Sequence, residues 1–194
     1  ELGMYIVDEV GDEAHFNIHL SYDSTYTEMY RDRSRKLVHR DTNHASIVMW
    51  SAGNESGSGS NIHEVIKTGK AIDPSRPGWM YGGNTFYIPF EDITGPRYWT
   101  PHLLKNLAER KILGPEDLRP SFMDEYLAAT GNGLGGLDEY WELIWKYPRL
   151  SGGAIWDWIS PGIYTPLWET PDTSPFKNNG AIMGRPKFVE GRNG

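Results

Sequence analysis

Two glutamates in this chain stand where a carboxyl group could do chemistry. Glu55 follows the run Trp50-Ser51-Ala52-Gly53-Asn54, in which an apolar stretch ends, a glycine frees the backbone, and an amide and a carboxyl are presented together. Glu125 stands in Phe122-Met123-Asp124-Glu125-Tyr126, again at the end of an apolar stretch. A carboxyl placed there is costly unless it is paired or used. Two such groups facing each other supply what glycoside hydrolysis needs: one acid to protonate the leaving oxygen and one carboxylate opposite it. Asn54, beside the first acid, could hydrogen-bond a sugar hydroxyl near the reacting carbon. Taken alone, the Asn54-Glu55 pair reads equally well as a helix cap or a surface pair.

The elements that must carry these groups alternate between apolar runs and helical patterns. Strands are predicted over residues 3–9, 46–51, 77–81, 92–95, 119–124 and 153–158. Helices are predicted over about 22–40, over 61–71 closed by Asp73-Pro74, from Thr100-Pro101 towards Arg110, and over 137–146. Strands that are apolar throughout and separated by helices indicate a parallel sheet covered on both faces, either a closed barrel or an open doubly wound sheet. Asp8-Glu9, Asn54-Glu55, Asp124-Glu125 and Asp157 deliver acids from several strand ends to one edge, which is the habit of the TIM (β/α)8 barrel. No glycine-rich phosphate loop follows any strand, which counts against the open sheet. The expected architecture is therefore a partial barrel of about the last six β/α units, with the two missing strands expected before Glu1 and residues 1–168 as its extent.

Composition narrows the partners. With 19 Lys and Arg against 26 Asp and Glu the net charge is −7, so neither a nucleic-acid nor an anionic membrane surface is expected. No apolar run is long enough to span a bilayer. The absence of cysteine excludes disulfides and thiolate chemistry and leaves the compartment open; an extracellular or periplasmic setting is favoured over the cytoplasm. Eight Trp and eleven Tyr suit the stacking of rings on sugar faces, although core filling explains any single one of them equally well.

The stretch Asp41-Thr42-Asn43-His44-Ala45-Ser46-Ile47-Val48-Met49-Trp50-Ser51-Ala52-Gly53-Asn54-Glu55-Ser56-Gly57 resembles the acid/base region of glycoside hydrolase family 2, in particular the large bacterial β-galactosidases. Glu125-Tyr126 with Gly131-Asn132-Gly133-Leu134-Gly135-Gly136 resembles their nucleophile segment. Tyr140-Trp141, Tyr147-Pro148-Arg149-Leu150 and Gly152-Gly153-Ala154-Ile155-Trp156-Asp157-Trp158 continue the likeness in order. The resemblance implies a retaining exo-β-glycosidase acting on an oligo- or polysaccharide. In it Glu55 matches the acid/base, Glu125 the nucleophile, Tyr98 a tyrosine beside the nucleophile, Asn54 a 2-hydroxyl contact and Trp156 part of the sugar floor. Asp8, at the end of the first strand, joins the expected sugar-binding set. Glu13 and His15, with Glu55, match a magnesium site, although Val10-Gly11-Asp12 departs from the usual neighbours.

Other departures limit the substrate. Ala128 stands where the β-galactosidases have a histidine that helps hold galactose, and no Asn-x-Lys element for a sugar carboxylate is recognisable. The remaining readings are an inactive carbohydrate-binding barrel, a β-glycosidase of different sugar specificity, and a metal-dependent barrel hydrolase. Residues 169–194 read as a linker followed by a stretch similar to the opening of laminin-G or concanavalin-like sandwich domains. The remaining domains of a longer polypeptide are expected partners, as is a homo-oligomer.

Overall fold

Parallel strands need a crossover between them. A computed structural model describes residues 3–76, 78–83, 90–130, 133 and 135–157. In chain order these form β1 (Ile6–Glu9), α1 (Thr27–Asp41), β2 (Ile47–Asn54), α2 (Ser60–Ile72), β3 (Trp79–Gly82), α3 (Pro101–Ala108), β4 (Ser121–Tyr126), α4 (Leu137–Lys146) and β5 (Leu150–Ile155). β1, β2 and β3 pair in parallel, with Asp8 beside Trp50 and Asn54 beside Gly82. β4 and β5 form a second parallel pair, with Tyr126 beside Ile155. Helices supply the crossover between β1 and β2, β2 and β3, and β4 and β5.

Residues 92–94 join the two. The amides of Asp92 and Ile93 donate to the Trp79 carbonyl at 2.9 and 3.4 Å, the Thr94 amide donates to Pro120, and Phe122 donates back to Thr94. The expected strand over 92–95 is thus one parallel bridge, Thr94 to Ser121. Its ladder is cut short because the Trp79 amide is taken by the Asp92 side chain at 2.9 Å rather than by backbone. Strand order equals chain order throughout, which is how a β/α barrel is laid down.

Two other boundaries move. The helix expected from residue 22 starts at Thr27, because residues 18–21 and 24–26 form 3-10 turns and the Asp23 carboxylate accepts from the Thr25 amide. The last strand runs Leu150–Ile155 rather than 153–158, since buried Leu150 pairs with Ser121 and sets the register.

Apolar layers lie on both faces of the strands. Outside, Trp50, Ala52, Trp79 and Tyr81 pack against α1 and α2. α2 approaches so closely that a Cβ on Gly69 would lie 2.0 Å from the Trp79 ring. Inside, Val7, Met49, Met80, Ile93 and Phe122 meet. Thr100 caps α3 by accepting from Leu103, and Pro101 takes the first turn. None of the described helices is long and apolar enough to cross a membrane. The expected linker and sandwich opening at 169–194 lie outside the described residues.

Candidate active site

The acid-bearing ends of β2 and β4 are built by tight backbone. Gly53, at φ 130°, passes so near Asp12 that a Cβ would sit 2.8 Å from that residue's own Cβ. Glu55 then turns into the left-handed region at φ 44°, its amide donating to the Gly82 carbonyl at 2.6 Å. A non-glycine residue is costly there and persists only where its surroundings impose it. Buried Ser56 helps to do so: its hydroxyl donates to the Asn54 carbonyl and accepts from the Ala14 amide, while its own amide donates to the Tyr81 hydroxyl. Tyr98 at φ 51° and Leu127 at φ 49° place two more left-handed residues at the same sheet edge.

Glu55 and Glu125 meet across one guanidinium. Arg97 Nη1 donates to Glu55 Oε1 at 2.6 Å, and its Nη2 lies 3.2 Å from Glu125 Oε1. The other oxygen of Glu125 accepts from the Tyr98 hydroxyl at 2.6 Å, and the Tyr98 amide donates to the Glu125 carbonyl at 2.9 Å. Burial, then the bond to Glu125, raises the Tyr98 phenol above its ordinary value, so it stays protonated and donates. Arg97 Nη2 also donates to Asn54 Oδ1 and Asp124 Oδ2, and its Nε donates to Asp124 Oδ2 at 3.0 Å. Burial pushes Asp124 up to about 7 against the opposing pull of Arg97.

On the far side of Glu55, His15 Nδ1 lies 2.9 Å from Glu55 Oε2 and His15 Nε2 lies 2.7 Å from Glu13 Oε1. Asn54 Nδ2 donates to the same Glu13 oxygen at 2.8 Å. The bond to Glu13 and the charge of Glu55 raise the His15 imidazole above its usual value, which favours an imidazolium donating to both acids. Glu13, His15 and Glu55 are thus brought together, and their oxygen-rich chemistry suits magnesium. They are bonded to one another, however, and among the described residues no three His, Asp or Glu side chains are arranged to hold one ion. A cavity of about 460 Å³ opens beside them, lined by His15, Phe16, Tyr22, Glu55 and Tyr81 among others.

The remaining expected residues divide. Trp156 follows β5 at the same sheet edge, its amide donating to Tyr126 and the residue 44% exposed. Asp8 faces the other way. It lies against Asp41 and Arg40 at the end of α1, with burial and then Asp41 raising its carboxyl, so it belongs to the helix layer rather than to a sugar pocket. Neighbours on a strand point to opposite faces, and the inward acid is Glu9, whose Oε2 accepts from Ser51 at 2.6 Å and whose carboxyl burial raises. Arg97 and Asp124 were not singled out as site residues from sequence. Their signal was present in the neighbours of Tyr98 and Glu125, but nothing local showed that the two would pair.

The family model for "Glycosyl hydrolases family 2, TIM barrel domain" matches residues 1–181. The chain belongs to glycosyl hydrolase family 2. Within the family it is 38% identical over 178 residues to a β-galactosidase of Psychromonas ingrahamii, covering 84% of this chain and 17% of that protein. It is 39% identical over 175 residues to a β-galactosidase of Leuconostoc mesenteroides, covering 85% of this chain and again 17% of the relative. The chain therefore spans about a sixth of the length of the curated relatives it matches. Among solved structures, a family 2 β-galacturonidase from Eisenbergiella tayi bound to galacturonate superposes with TM-score 0.53 at 17% identity, over 69% of this chain and 30% of that one. A β-D-glucuronidase for Dictyoglomus thermophilum superposes with TM-score 0.52 at 19% identity, over 70% and 29%. At those identities the likeness shows the fold alone, a partial TIM barrel.

Proposed function

We propose that the protein carrying this chain is a retaining exo-β-glycosidase, β-galactosidase-like, that releases a terminal β-linked sugar from an oligo- or polysaccharide by double displacement. The observation that carries the reading is the pair of strand-end glutamates on one guanidinium, Glu55 from the end of β2 and Glu125 from β4. A shared cation supports a short separation, and retention needs about 5–5.5 Å between carboxyls where inversion needs room for a water. Glu125 attacks the anomeric carbon while Glu55 gives its proton to the departing oxygen. Glu55 then takes a proton from water, which attacks the same carbon and frees Glu125 with the sugar configuration retained. Tyr98 holds the Glu125 oxygen at 2.6 Å and so limits which way it faces.

The β-galactosidase relatives favour galactose, and Ala128 favours a sugar read by a different residue at that position. A site without one hydrogen bond discriminates less at that hydroxyl. Magnesium is part of the proposal: Glu13, His15 and Glu55 would hold it once their bonds to one another give way. When bound, the ion would supply positive charge beside the acid/base residue. Dialysis against a chelator followed by magnesium should lower and restore activity, and indifference to both removes the ion from the account.

The test of the activity is a panel of nitrophenyl β-glycosides offered to the complete polypeptide and to its Glu55→Ala and Glu125→Ala variants. Hydrolysis of at least one β-glycoside, lost by orders of magnitude in both variants, supports the reading. Tight sugar binding without turnover would favour an inactive carbohydrate-binding barrel.

A further inference from the structure

We propose that Arg97 is a positioning residue that ties the two glutamates to each other, with Asp124 fixing its guanidinium and Gly82 making room for it. This rests on the glycosidase reading above. The Arg97 side chain is only 4% exposed. Its Nη1 serves Glu55, its Nη2 reaches Glu125, Asn54 and Asp124, and its Nε serves Asp124. A guanidinium is a rigid plane with donors in a fixed fork, so two acids bound to its two ends are held in a set relation. No flexible ammonium can do the same.

The space for that fork is made by a missing side chain. A Cβ on Gly82 would lie 2.5 Å from Arg97 Nη2, 2.7 Å from Asp124 Oδ2 and 2.9 Å from Asn54 Oδ1. Gly82 pairs with Asn54 across β2 and β3, so the strand register itself opens the slot. Electrostatics point the same way. Glu55, Asp124 and Glu125 bring three carboxyl groups to one place, and a cation between them offsets their repulsion wherever two of them ionise together. With Nε, Nη2 and one N–H of Nη1 directed at protein groups, Arg97 is placed to hold the catalytic pair.

The experiment compares Arg97→Met, Arg97→Lys and Gly82→Ala in the complete polypeptide. It follows kcat and KM on two aryl β-glycosides, one with a 4-nitrophenyl and one with a 2,4-dinitrophenyl leaving group, and fluoro-sugar titration counts the competent sites. Arg97→Met should lower kcat per competent site by about 10²–10³-fold with KM changed less than about threefold. The loss should persist with the dinitrophenyl substrate, whose departure needs no proton, because Glu125 is also misplaced. Added guanidinium should restore part of the rate. Arg97→Lys and Gly82→Ala should fall between this variant and wild type, and they carry the test if Arg97→Met does not fold. Rates per competent site within about threefold of wild type in the folded variants, or a loss confined to KM, overturn the proposal while leaving the glycosidase reading intact. A folded wild-type protein inert on every β-glycoside overturns both.

Discussion

Two largely buried arginines, Arg76 and Arg97, are each the centre of a dense hydrogen-bond cluster, and they are built from different acceptors. Arg76 lies between the end of α2 and the turn into β2. It donates to the carbonyls of Thr42, His44 and Ile47, to the Thr42 hydroxyl, and to the Asp73 carboxylate. Its guanidinium sits over the Trp50 ring, 5.2 Å from the centroid. One cation meets one anion, and the rest are neutral groups, most of them backbone carbonyls. Arg97 meets three carboxylates and an amide, all side chains from strand ends. The first arrangement ties a turn to a helix. The second sets one cation among three carboxyl groups that share it, with burial holding Asp124 up to about 7. In a β/α barrel the strands' C-terminal edge carries chemistry and the opposite edge carries stability, and the two arginines divide along that line.

The sharpest way to break this division is to remove one acid or one hub from each end. Glu125→Ala should lower hydrolysis by about 10⁴-fold or more with little effect on melting, since the group is part of a site that acts as a unit. Arg76→Ala should do the reverse: stability falls by about 3 kcal/mol, because buried Asp73 loses its counter-charge and keeps only its bonds from Ser75 and Thr42, while kcat per folded molecule holds. Differential scanning calorimetry and steady-state kinetics on the two variants check both. Tyr98→Phe removes one hydrogen bond to a charged oxygen and should cost about ten- to a hundredfold in kcat, with a smaller effect on KM.

The smallest effect concerns acid. Burial alone would raise Asp73, but bonds from Ser75 and Arg76 outweigh it and hold the carboxyl at about 2, below the ordinary 3.8. The ionised form is thus favoured by folding. Its contribution, about 2 kcal/mol, is complete above about pH 4 and disappears as pH falls through 2. Asp73→Asn should flatten that limb of a pH–melting curve and leave the site unaffected. A steep limb in the variant would mean that other carboxylates carry it.

The sequence made the glutamates legible because each ends an apolar strand, and strand ends are where a barrel presents polar groups. Tyr98, Glu13 and His15 were legible through the family resemblance, and the structure brings each of them to Glu55 or Glu125. Asp8 was misplaced because two adjacent acids end β1 and composition does not say which one points inward; only the register against β2, with Glu9 beside Ser51, decides it. Arg97 was hidden for a related reason. Its partners come from β2, from β4 and from the slot at Gly82, and such convergence is a property of strand order rather than of any local pattern. The bridge at Thr94 and the start of β5 at Leu150 were similarly decided by pairing partners distant in sequence.

The account as a whole stands on Glu125 being the group that bonds to the sugar. Incubating the complete polypeptide with an activated 2-fluoro β-glycoside, digesting it, and locating the label by mass spectrometry measures this directly. One fluoroglycosyl group per chain on the peptide bearing Glu125, absent from Glu125→Ala, is the expected result. A label on another carboxylate, or rapid turnover with no adduct and an inverted first-formed sugar, would contradict it.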